Sequence, residues 1–550
     1  MTPPEPRLNR RTLFRTATTL GAAALLPVTA PAQAAAPAAH RVKAKPKAKS
    51  KAKSKAKSKA KSKAKSTSTA TGYRDTYHFT VPDQWKNDPQ RPIWIEGEYH
   101  YYYLYNPDYL TGGTEAGTTW RLATSTDLVS FRDRGVAVPK DTAANGDVWS
   151  GCAVVDPVNT AGFGAGAVIV VVTMEPDSTA NSQAQYLYYS TDGGHTFTNH
   201  GTDPVLANPG VKDFRDPKVI RDEERGRWVM ALAEKTKVGI YHSDDLKSWT
   251  YASGFTQEGL GTLECPDLFH ITGTGGTATW VLGVSANGKA SGLPNTYAYW
   301  TGSFDGTTFT PDAAAPQWLD HGFDFYGAVT FDKHRADGSV DPAMRYAIGW
   351  MNNWDYPNTT PTIDSGGFNG TDSIVREVTL RKDPSGTLYL ATSPVTALDD
   401  HVSKTVGLGD LTVDGELALS YAGISYELTC EITWDGALTG AGVQLRKSVD
   451  GGRHIDAGVY DDFAFVNRRG VPNPDSSGNY QESHTPFDAA TRSVRLRALV
   501  DRTTVEVFFD DGRYVHSMEA FPYLVDVGLS LFTTGGAAVF RDTVIREFTV

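Results

Sequence analysis

From residue 73 onward, the hydrophobic positions form short runs that alternate with turn residues. Examples are AVIVVVT at 167–173, QYLYYS at 185–190 and RWVMALA at 227–233. Gly, Asp, Asn and Pro separate such runs, as is typical of β-strands joined by tight turns. Stretches with the spacing of a long amphipathic helix are few. The pattern therefore predicts an all-β protein.

A weak internal repeat indicates how these strands are grouped. Four strand-ending segments each place an aromatic residue four or five positions after an aspartate: Asp127 and Phe131, Asp192 and Phe197, Asp245 and Trp249, Asp305 and Phe309. Successive aspartates lie 65, 53 and 60 residues apart, which is close to the length of a four-stranded sheet with its loops. Ordinary hairpin turns are a rival explanation, because Asp is common in them. The regular spacing favours propeller blades, and residues 73–392 have room for five.

A second β-rich region follows. The segment SPVTALDDHVSKTVGLGD interrupts the repeat, and we assign 393–411 as a linker. Beyond it, alternating runs such as YELTCEITW, SVRLRALV and TTVEVFF are separated by loops of Gly, Asp and Asn. Residues 412–550 are therefore predicted to form a β-sandwich. The expected architecture is a five-bladed β-propeller followed by this sandwich.

The N-terminus has the features of an export signal. Arg10 and Arg11 precede a small-residue apolar run, and Ala32-Gln33-Ala34 matches an A-x-A cleavage site. Residues 1–34 are therefore predicted to be a signal peptide of the twin-arginine (Tat) type. The apolar run is too short to span a bilayer. We expect a secreted, extracellular protein without membrane insertion.

Residues 35–72 form a Lys/Ala/Ser-rich segment, with twelve lysines between positions 43 and 66. These lysines repel one another, and residues 43–66 contain no apolar residue larger than Ala, so we expect the segment to be disordered. It is either a solvated spacer or a cationic contact with cell-wall polymers.

The remainder of the chain is strongly acidic. Residues 67–550 carry 36 basic and 62 acidic groups, a net charge of −26. This charge disfavours nucleic acid and anionic substrates and favours a neutral substrate. The three cysteines are far apart in sequence, so neither a disulfide framework nor a zinc motif is predicted. We expect no metal and no cofactor.

Three carboxylates occur in similar settings at strand ends. Asp88 lies in NDP, Asp216 in RDP and Glu264 in ECP. A single Asp-Pro is more often a turn signal than a catalytic site. The inner strands of successive propeller blades converge on one central cavity, however, so acids on three blades can meet there. Glycoside hydrolysis uses such a meeting, with one carboxylate as nucleophile and a carboxylic acid as proton donor.

The same segments resemble a known family. WKNDP, FRDPKV and ECPDLF are similar to three signatures of glycoside hydrolase family 32, the β-fructosidases. WSGCAVVD, DFYGAVTF, GWMNNW and SIVREVTL resemble further segments of that family. The resemblance implies a five-bladed propeller followed by a β-sandwich, and a retaining glycosidase acting on a fructan.

The resemblance also implies roles for individual residues. Asp88 is expected to be the nucleophile that forms a covalent fructosyl-enzyme, and Glu264 the general acid/base. Asp216 is expected to bind fructose hydroxyls and to stabilise the transition state. Asn87 and Arg215 are expected to orient the neighbouring carboxylates. The other candidates for substrate contact are Trp85, Trp149, Ser150, Asp324 and Tyr326.

Two departures from the family pattern bear on specificity. Here NDPQR stands where the family usually has NDPNG, and Leu104 stands where it usually has Gln. The subgroup that acts on levan, the β-2,6-linked fructan, is similar to this chain at Gln90, Arg91 and Leu104. We expect Gln90 and Arg91 to add bulk and positive charge beside the nucleophile and so to narrow the approach of substrate.

Three functional hypotheses follow. The first is a levanase-like hydrolase that releases fructose or levanbiose. The second is a levan fructotransferase that forms a difructose anhydride, in which a sugar hydroxyl instead of water resolves the covalent intermediate. The third is a non-catalytic fructan-binding or adhesion protein. Loss of catalysis would predict damage to the three acids, and all three are intact.

Overall fold

The computed structural model of the chain describes residues 72–140, 146–176 and 182–550. The predicted signal peptide and residues 35–71 of the lysine-rich segment lie outside these ranges. Within them, no helix has the length and apolar character needed to cross a bilayer.

Strands make up most of the described chain and form five successive antiparallel sheets in its first part. Sheet one contains β1 (Gln84–Ile95), β2 (Glu98–Asn106), β3 (Thr119–Ser125) and β4 (Arg132–Val138), and sheet two contains β5 (Val148–Asp156), β6 (Ala167–Met174), β7 (Ala184–Ser190) and β8 (Thr198–Asn199). Sheet three contains β9 (Phe214–Asp222), β10 (Arg227–Glu234), β11 (Lys237–Ser243) and β12 (Thr250–Thr256), and sheet four contains β13 (Glu264–Thr272), β14 (Ala278–Ser285), β15 (Tyr297–Phe304), β16 (Phe309–Pro311) and β17 (Gln317–Trp318). The fifth sheet contains β18 (Tyr326–His334), β19 (Val340–Trp350), β21 (Arg376–Lys382) and β22 (Leu388–Pro394).

Helices are short and occupy the connections. They are α1 (Tyr109–Gly112), α2 (Thr362–Gly366) and 3₁₀ turns at Thr114–Ala116, Thr274–Gly276, Lys289–Ser291, Thr396–His401 and Ala489–Thr491.

The five sheets close into a ring. A separate hydrophobic core lies between each pair of neighbouring sheets, including the fifth and the first, where Tyr99 and Tyr101 pack in the same core as Val329 and Phe331. A short strand that follows β19, β20 (Phe368–Asn369), also runs parallel to the start of β1. Each sheet thus buries both faces against its neighbours, and the prediction of a five-bladed propeller is confirmed.

The predicted repeat marks the same turn in each blade. Asp127, Asp192, Asp245 and Asp305 all lie between the third and fourth strands of their sheets. In each turn the aspartate Oδ1 accepts two backbone N–H groups from residues two to four positions ahead. Asp383 does the same in the fifth blade. No aromatic residue follows Asp383 at the repeat spacing, so the sequence repeat does not include it.

The C-terminal part is a ten-stranded antiparallel sheet folded into two layers. Its strands are β23 (Val402–Ala418), β24 (Tyr426–Thr433), β25 (Gly440–Lys447), β26 (Ile455–Tyr460), β27 (Phe463–Asn467), β28 (Glu482–Pro486), β29 (Ser493–Val500), β30 (Thr504–Phe509), β31 (Tyr514–Glu519) and β32 (Gly528–Phe548). The first part of β32 pairs with β25 and its later part with β24. Residues of both halves share one core, so the sheet is a β-sandwich, as predicted.

The structure differs from the sequence prediction at 393–411. Strand β22 ends at Pro394, a 3₁₀ turn covers Thr396–His401, and β23 begins at Val402 and pairs along β32. Most side chains of β23 are exposed or half-buried. Val406 alternates with Leu408, and Leu411 with Val413, but a register shift between Gly409 and Leu411 separates the two pairs. Each alternating stretch is therefore too short to indicate one long strand.

Propeller and sandwich meet through fully buried ionic groups. His78, ahead of β1, contacts Asp501 at 3.1 Å and Glu506 at 2.9 Å. Arg376 in the fifth blade contacts Asp320 at 2.8 Å and also pairs with Glu506. Burial disfavours the charged imidazole, but its bonds to the two carboxylates outweigh this and raise the pKa of His78 to about 10. These pairs compensate charges that would otherwise be isolated at the interface.

Candidate active site

The inner strand of every blade is interrupted by a β-bulge close to its beginning. In each case two residues lie opposite a single residue of the neighbouring strand. The five bulges are at 87–88, 149–150, 216–217, 265–266 and 327–328. A bulge breaks the two-sided alternation of a strand and redirects side chains. Asp88, Ser150 and Asp216 lie in three of these bulges, and Glu264 directly precedes a fourth.

Three bulge residues have a left-handed backbone. The φ angles are 65° at Asp216, 46° at Cys265 and 54° at Gly327. For non-glycine residues this conformation costs of order 1–3 kcal/mol and persists only where the surroundings impose it. At position 327 a Cβ atom would lie 2.7 Å from Oδ1 of Asp88. Glycine at 327 therefore provides the space that the Asp88 carboxylate occupies.

Asp88 is held by side chains on both of its oxygens. The Ser150 hydroxyl donates to Oδ2 at 2.6 Å, and the Asn87 amide donates to Oδ1 at 3.1 Å. Burial raises the pKa of Asp88, and the Ser150 bond is the largest effect that opposes this rise. Nearby Glu264 raises the pKa further. The carboxylate is thus oriented, and its ionisation depends on Ser150.

Asp216 lies beside Asp88, and Cys265 contacts both. The Cys265 N–H donates to Oδ2 of Asp216 at 3.0 Å, and its Sγ lies 3.8 Å from Oδ2 of Asp216 and 3.8 Å from Oδ2 of Asp88. Burial raises the pKa of Asp216, Arg215 opposes the rise, and Glu264 and Asp88 add to it. Burial also raises the pKa of the Cys265 thiol, which therefore stays protonated at neutral pH.

Glu264 is oriented by an arginine and a tyrosine. Arg215 donates to Oε1 from Nη2 at 3.0 Å and from Nε at 3.2 Å, and the Tyr326 hydroxyl donates to Oε2 at 2.5 Å. Asp213 in turn accepts from Arg215 at 2.7 Å. The Glu264 side chain is 20% exposed. It can therefore exchange protons with a bound substrate and with water.

These groups line one open cleft of about 800 Å³. Asp88, Asp216 and Glu264 lie in its wall together with Trp85, Trp149 and Leu104. A second cavity of about 590 Å³ adjoins it, sharing Arg215, Glu264, Tyr326 and Trp354 and continuing past Asn287 and Asn295. Glu264 thus lies where the two cavities meet, and a chain that occupies both would pass it.

Most of the predicted site residues come together here. The cleft brings Asp88, Asp216 and Glu264 together with Asn87, Trp85, Trp149, Ser150, Arg215 and Tyr326. Asp324 is the exception. It is fully buried, pairs with Arg468, and accepts from the Tyr356 hydroxyl and the Glu519 N–H. The prediction of substrate contact by Asp324 therefore disagrees with the structure, in which Oδ2 contacts Arg468 and Glu519 of the sandwich and Oδ1 accepts from Tyr356.

Gln90 and Arg91 also differ from expectation. Both are buried, and neither lines the cleft. Gln90 donates to the Ser150 hydroxyl at 3.1 Å and accepts from the Gly151 N–H at 2.7 Å. Arg91 donates to backbone carbonyls at the centre of the ring. The prediction that Gln90 and Arg91 narrow the approach of substrate is wrong, because both side chains lie outside the cleft and bind the strands that carry its residues.

The contacts of Gln90 and Arg91 with other blades have no counterpart in the sequence pattern. The alternation of a regular strand places Asp88 and Arg91 on opposite faces, and only the bulges turn both toward the centre of the ring.

The fold and the site together define a glycoside hydrolase of the propeller type. Sequence models of the family agree: the glycosyl hydrolases family 32 N-terminal domain matches residues 78–392, and the family 32 C-terminal domain matches residues 395–547. The chain belongs to glycosyl hydrolase family 32.

Individual relatives extend this result. The chain is 50% identical over 479 residues to a levanbiose-producing levanase of Bacillus subtilis (strain 168), covering 86% of this chain and 91% of the relative. It is 51% identical over 404 residues to a levanbiose-producing levanase of Geobacillus stearothermophilus, covering 73% of this chain and 100% of the relative. Among solved structures, it is similar to an exo-inulinase from Aspergillus awamori, with a TM-score of 0.77, 28% identity and coverage of 87% and 98% of the two chains.

Proposed function

We propose that this protein is a levanase that hydrolyses β-2,6-fructosyl linkages with retention of configuration and releases levanbiose. The observation that carries the proposal is the 50% identity to a levanbiose-producing levanase over 91% of that enzyme's length. The matched region is long enough to include the whole cleft and the sandwich.

The arrangement of the site supports a two-step mechanism. Asp88 attacks the anomeric carbon of a fructosyl unit while Glu264, in its protonated form, gives its proton to the departing glycosidic oxygen. The anomeric carbon–oxygen bond breaks as the bond to Asp88 forms. Water then attacks the same carbon, Glu264 accepts the proton of that water, and the Asp88 carboxylate is released. Asp216 stabilises the positive charge that develops on the sugar ring.

Preference for levan is proposed on the basis of Leu104. Leu104 lies in the cleft wall and directly opposes the 87–88 bulge. Leucine cannot hydrogen-bond a fructose hydroxyl, and one such bond contributes on the order of 1 kcal/mol. We expect kcat/KM on levan to exceed that on inulin or sucrose by at least about tenfold. Leu104→Gln should narrow this difference, and equal values for levan and inulin in the unmodified protein would contradict it.

Release of a disaccharide requires space for two fructosyl units on the Asp88 side of the scissile bond. The cleft volume of about 800 Å³ is sufficient for more than one unit. The transferase hypothesis uses the same covalent species but delivers it to a sugar hydroxyl.

Product analysis tests the proposal and separates it from its rivals. Purified protein is incubated with levan, inulin and sucrose in separate reactions, and products are separated by anion-exchange chromatography over time. Levanbiose as the first product from levan supports the proposal. A difructose anhydride would identify a transferase, fructose alone would refute the product assignment, and no product from any fructan would favour a binding protein.

Export by the twin-arginine route remains part of the proposal. Replacing Arg10 and Arg11 by lysine should retain the protein inside the cell, because that route reads the arginine pair. Normal secretion of this variant would contradict it. Contact of the lysine-rich segment with anionic cell-wall polymers is likewise proposed from its charge. Deletion of residues 35–66 should then reduce sedimentation of the protein with purified cell walls at low salt.

A further inference from the structure

Arg91 lies at the centre of the propeller and connects blades other than its own. Its side chain is among the largest that are fully buried. Nη1 donates to the carbonyl of Gly151 at 2.7 Å and of Pro217 at 3.4 Å, and Nη2 donates to the carbonyl of Pro266 at 2.5 Å. One guanidinium of the first blade thus joins the inner strands of the second, third and fourth blades.

The three acceptor carbonyls are placed next to functional side chains. Gly151 follows Ser150, Pro217 follows Asp216, and Pro266 is two residues after Glu264. The carbonyls of Pro217 and Pro266 are in bulges, and that of Gly151 directly follows one. A bulge disrupts the ladder locally, and a buried carbonyl without a partner is costly. Arg91 supplies these partners.

The first blade has a second bulge that serves this contact. In β1, Gln90 pairs with Tyr102 and Ile93 with His100, so Arg91 and Pro92 oppose a single residue. Arg91 is therefore on the bulged part of the strand three residues after Asp88. Its neighbour Gln90 binds the Ser150 hydroxyl and the Gly151 N–H. Gln90 therefore holds the N–H of Gly151, and Arg91 holds its carbonyl.

We propose that Arg91 is a positioning residue for the reaction, whose guanidinium sets the spacing of Ser150, Asp216 and Glu264 around Asp88. This inference rests on the proposed function of the site, although not on the identity of the fructan. Arg91 does not line the cleft, so it acts through the strands that it joins. A displacement of about 1 Å at a reacting group can cost about a hundredfold in rate, and loss of three fixed carbonyls allows displacements of this kind.

Arg446 provides a matched control. It is also fully buried, and its guanidinium also binds backbone carbonyls, those of Ile424, Asp501, Tyr523 and Asp526, but these belong to the sandwich. Arg446→Met and Arg91→Met therefore remove the same chemistry from two places. A purely structural role for Arg91 predicts that the two variants lose melting temperature and activity in the same proportion.

The test measures kcat, KM and melting temperature for Arg91→Met, Arg91→Lys and Arg446→Met, all at a temperature well below unfolding. We expect kcat of Arg91→Met to fall by about a hundredfold or more with KM changed by less than about threefold, because the reacting groups are displaced while the walls of the cleft remain. Lysine keeps the charge and reaches fewer carbonyls, so Arg91→Lys should recover part of the loss. Arg446→Met should keep kcat close to that of the unmodified protein.

Two outcomes would overturn the inference. One is a kcat of Arg91→Met equal to that of Arg446→Met, and the other is unmodified kcat in Arg91→Lys if the methionine variant does not fold. The substrate is whichever fructan the unmodified protein cleaves fastest. An unmodified protein that cleaves inulin in preference to levan therefore refutes the proposed specificity without affecting the Arg91 test.

Discussion

Removing the Ser150 hydroxyl perturbs the ionisation of Asp88 with little change in packing. Ser150→Ala deletes the 2.6 Å bond to Oδ2 of Asp88 at a residue that is 3% exposed. Burial raises the pKa of Asp88 and the Ser150 bond opposes this, so the variant should have a higher pKa at Asp88 than the unmodified protein. The nucleophile must be ionised, and the acid limb of the pH profile should therefore move to higher pH.

The size of the effect follows from the strength of the bond. A hydrogen bond to a charged group contributes about 1.5–3 kcal/mol, and about 1.4 kcal/mol corresponds to tenfold in rate. Below the acid limb, kcat/KM of Ser150→Ala should thus be roughly ten- to a hundredfold lower than that of the unmodified protein. The difference should narrow as the pH rises, since Asp88 is then ionised in both proteins.

The assay is kcat/KM on levan as a function of pH, which reports ionisations of the free enzyme. Ser285→Ala is the matched control, because Ser285 is also buried and its hydroxyl has no hydrogen-bond partner among the described residues. Its profile should match that of the unmodified protein. An acid limb of Ser150→Ala at unchanged or lower pH would refute the assignment of Asp88 as the ionised nucleophile stabilised by Ser150.

Three further predictions concern the acid/base, the packing around Asp88 and the interface. Glu264→Ala should lose about 10²–10⁴-fold in kcat on levan and much less on a fructosyl donor with a good leaving group; equal losses on both would contradict the role of Glu264. Gly327→Ala should fold but lose most activity, because its Cβ would lie 2.7 Å from Oδ1 of Asp88, and retained kcat would show that the carboxylate has another position. The bonds of His78 raise its pKa from 6.5 to about 10, so their stabilisation is complete below about pH 6.5 and lost as pH rises through about 10. His78→Gln should flatten this alkaline decrease in melting temperature, and an unchanged decrease would refute it.

Local sequence was sufficient to indicate the three carboxylates that the structure brings together in the cleft. Asp88, Asp216 and Glu264 precede proline directly or by one residue at strand beginnings, and this local feature is visible without any knowledge of folding. Four of the five blades were also indicated by a local feature, the aspartate in the turn between the third and fourth strands, and the fifth was inferred from the length of residues 73–392. Such signals depend on residues close in sequence, which is why they could be recognised.

Contacts between distant segments could not be predicted in the same way. The segment of Asp324 resembles one of the family and so suggests substrate contact, yet Oδ2 of Asp324 accepts from Arg468 and Glu519, more than a hundred residues away. Gln90 and Arg91 were assigned to the cleft because they are close to Asp88 in sequence. The two bulges of β1 turn these side chains away from the cleft. A bulge has no hydrophobic pattern of its own, so the sequence does not indicate it.

Covalent trapping tests the central claim most directly, because it identifies both the nucleophile and the length of the transferred unit. Glu264→Ala is mixed with a levanbiosyl fluoride donor, whose leaving group needs no acid, and the intermediate accumulates because no base activates water. The protein is then quenched in acid, digested and analysed by tandem mass spectrometry. We predict a mass increase of two fructosyl units on the peptide that contains Asp88, located on Asp88 itself. An adduct on Asp216 or on another residue, or no adduct although the donor is consumed, would contradict the account.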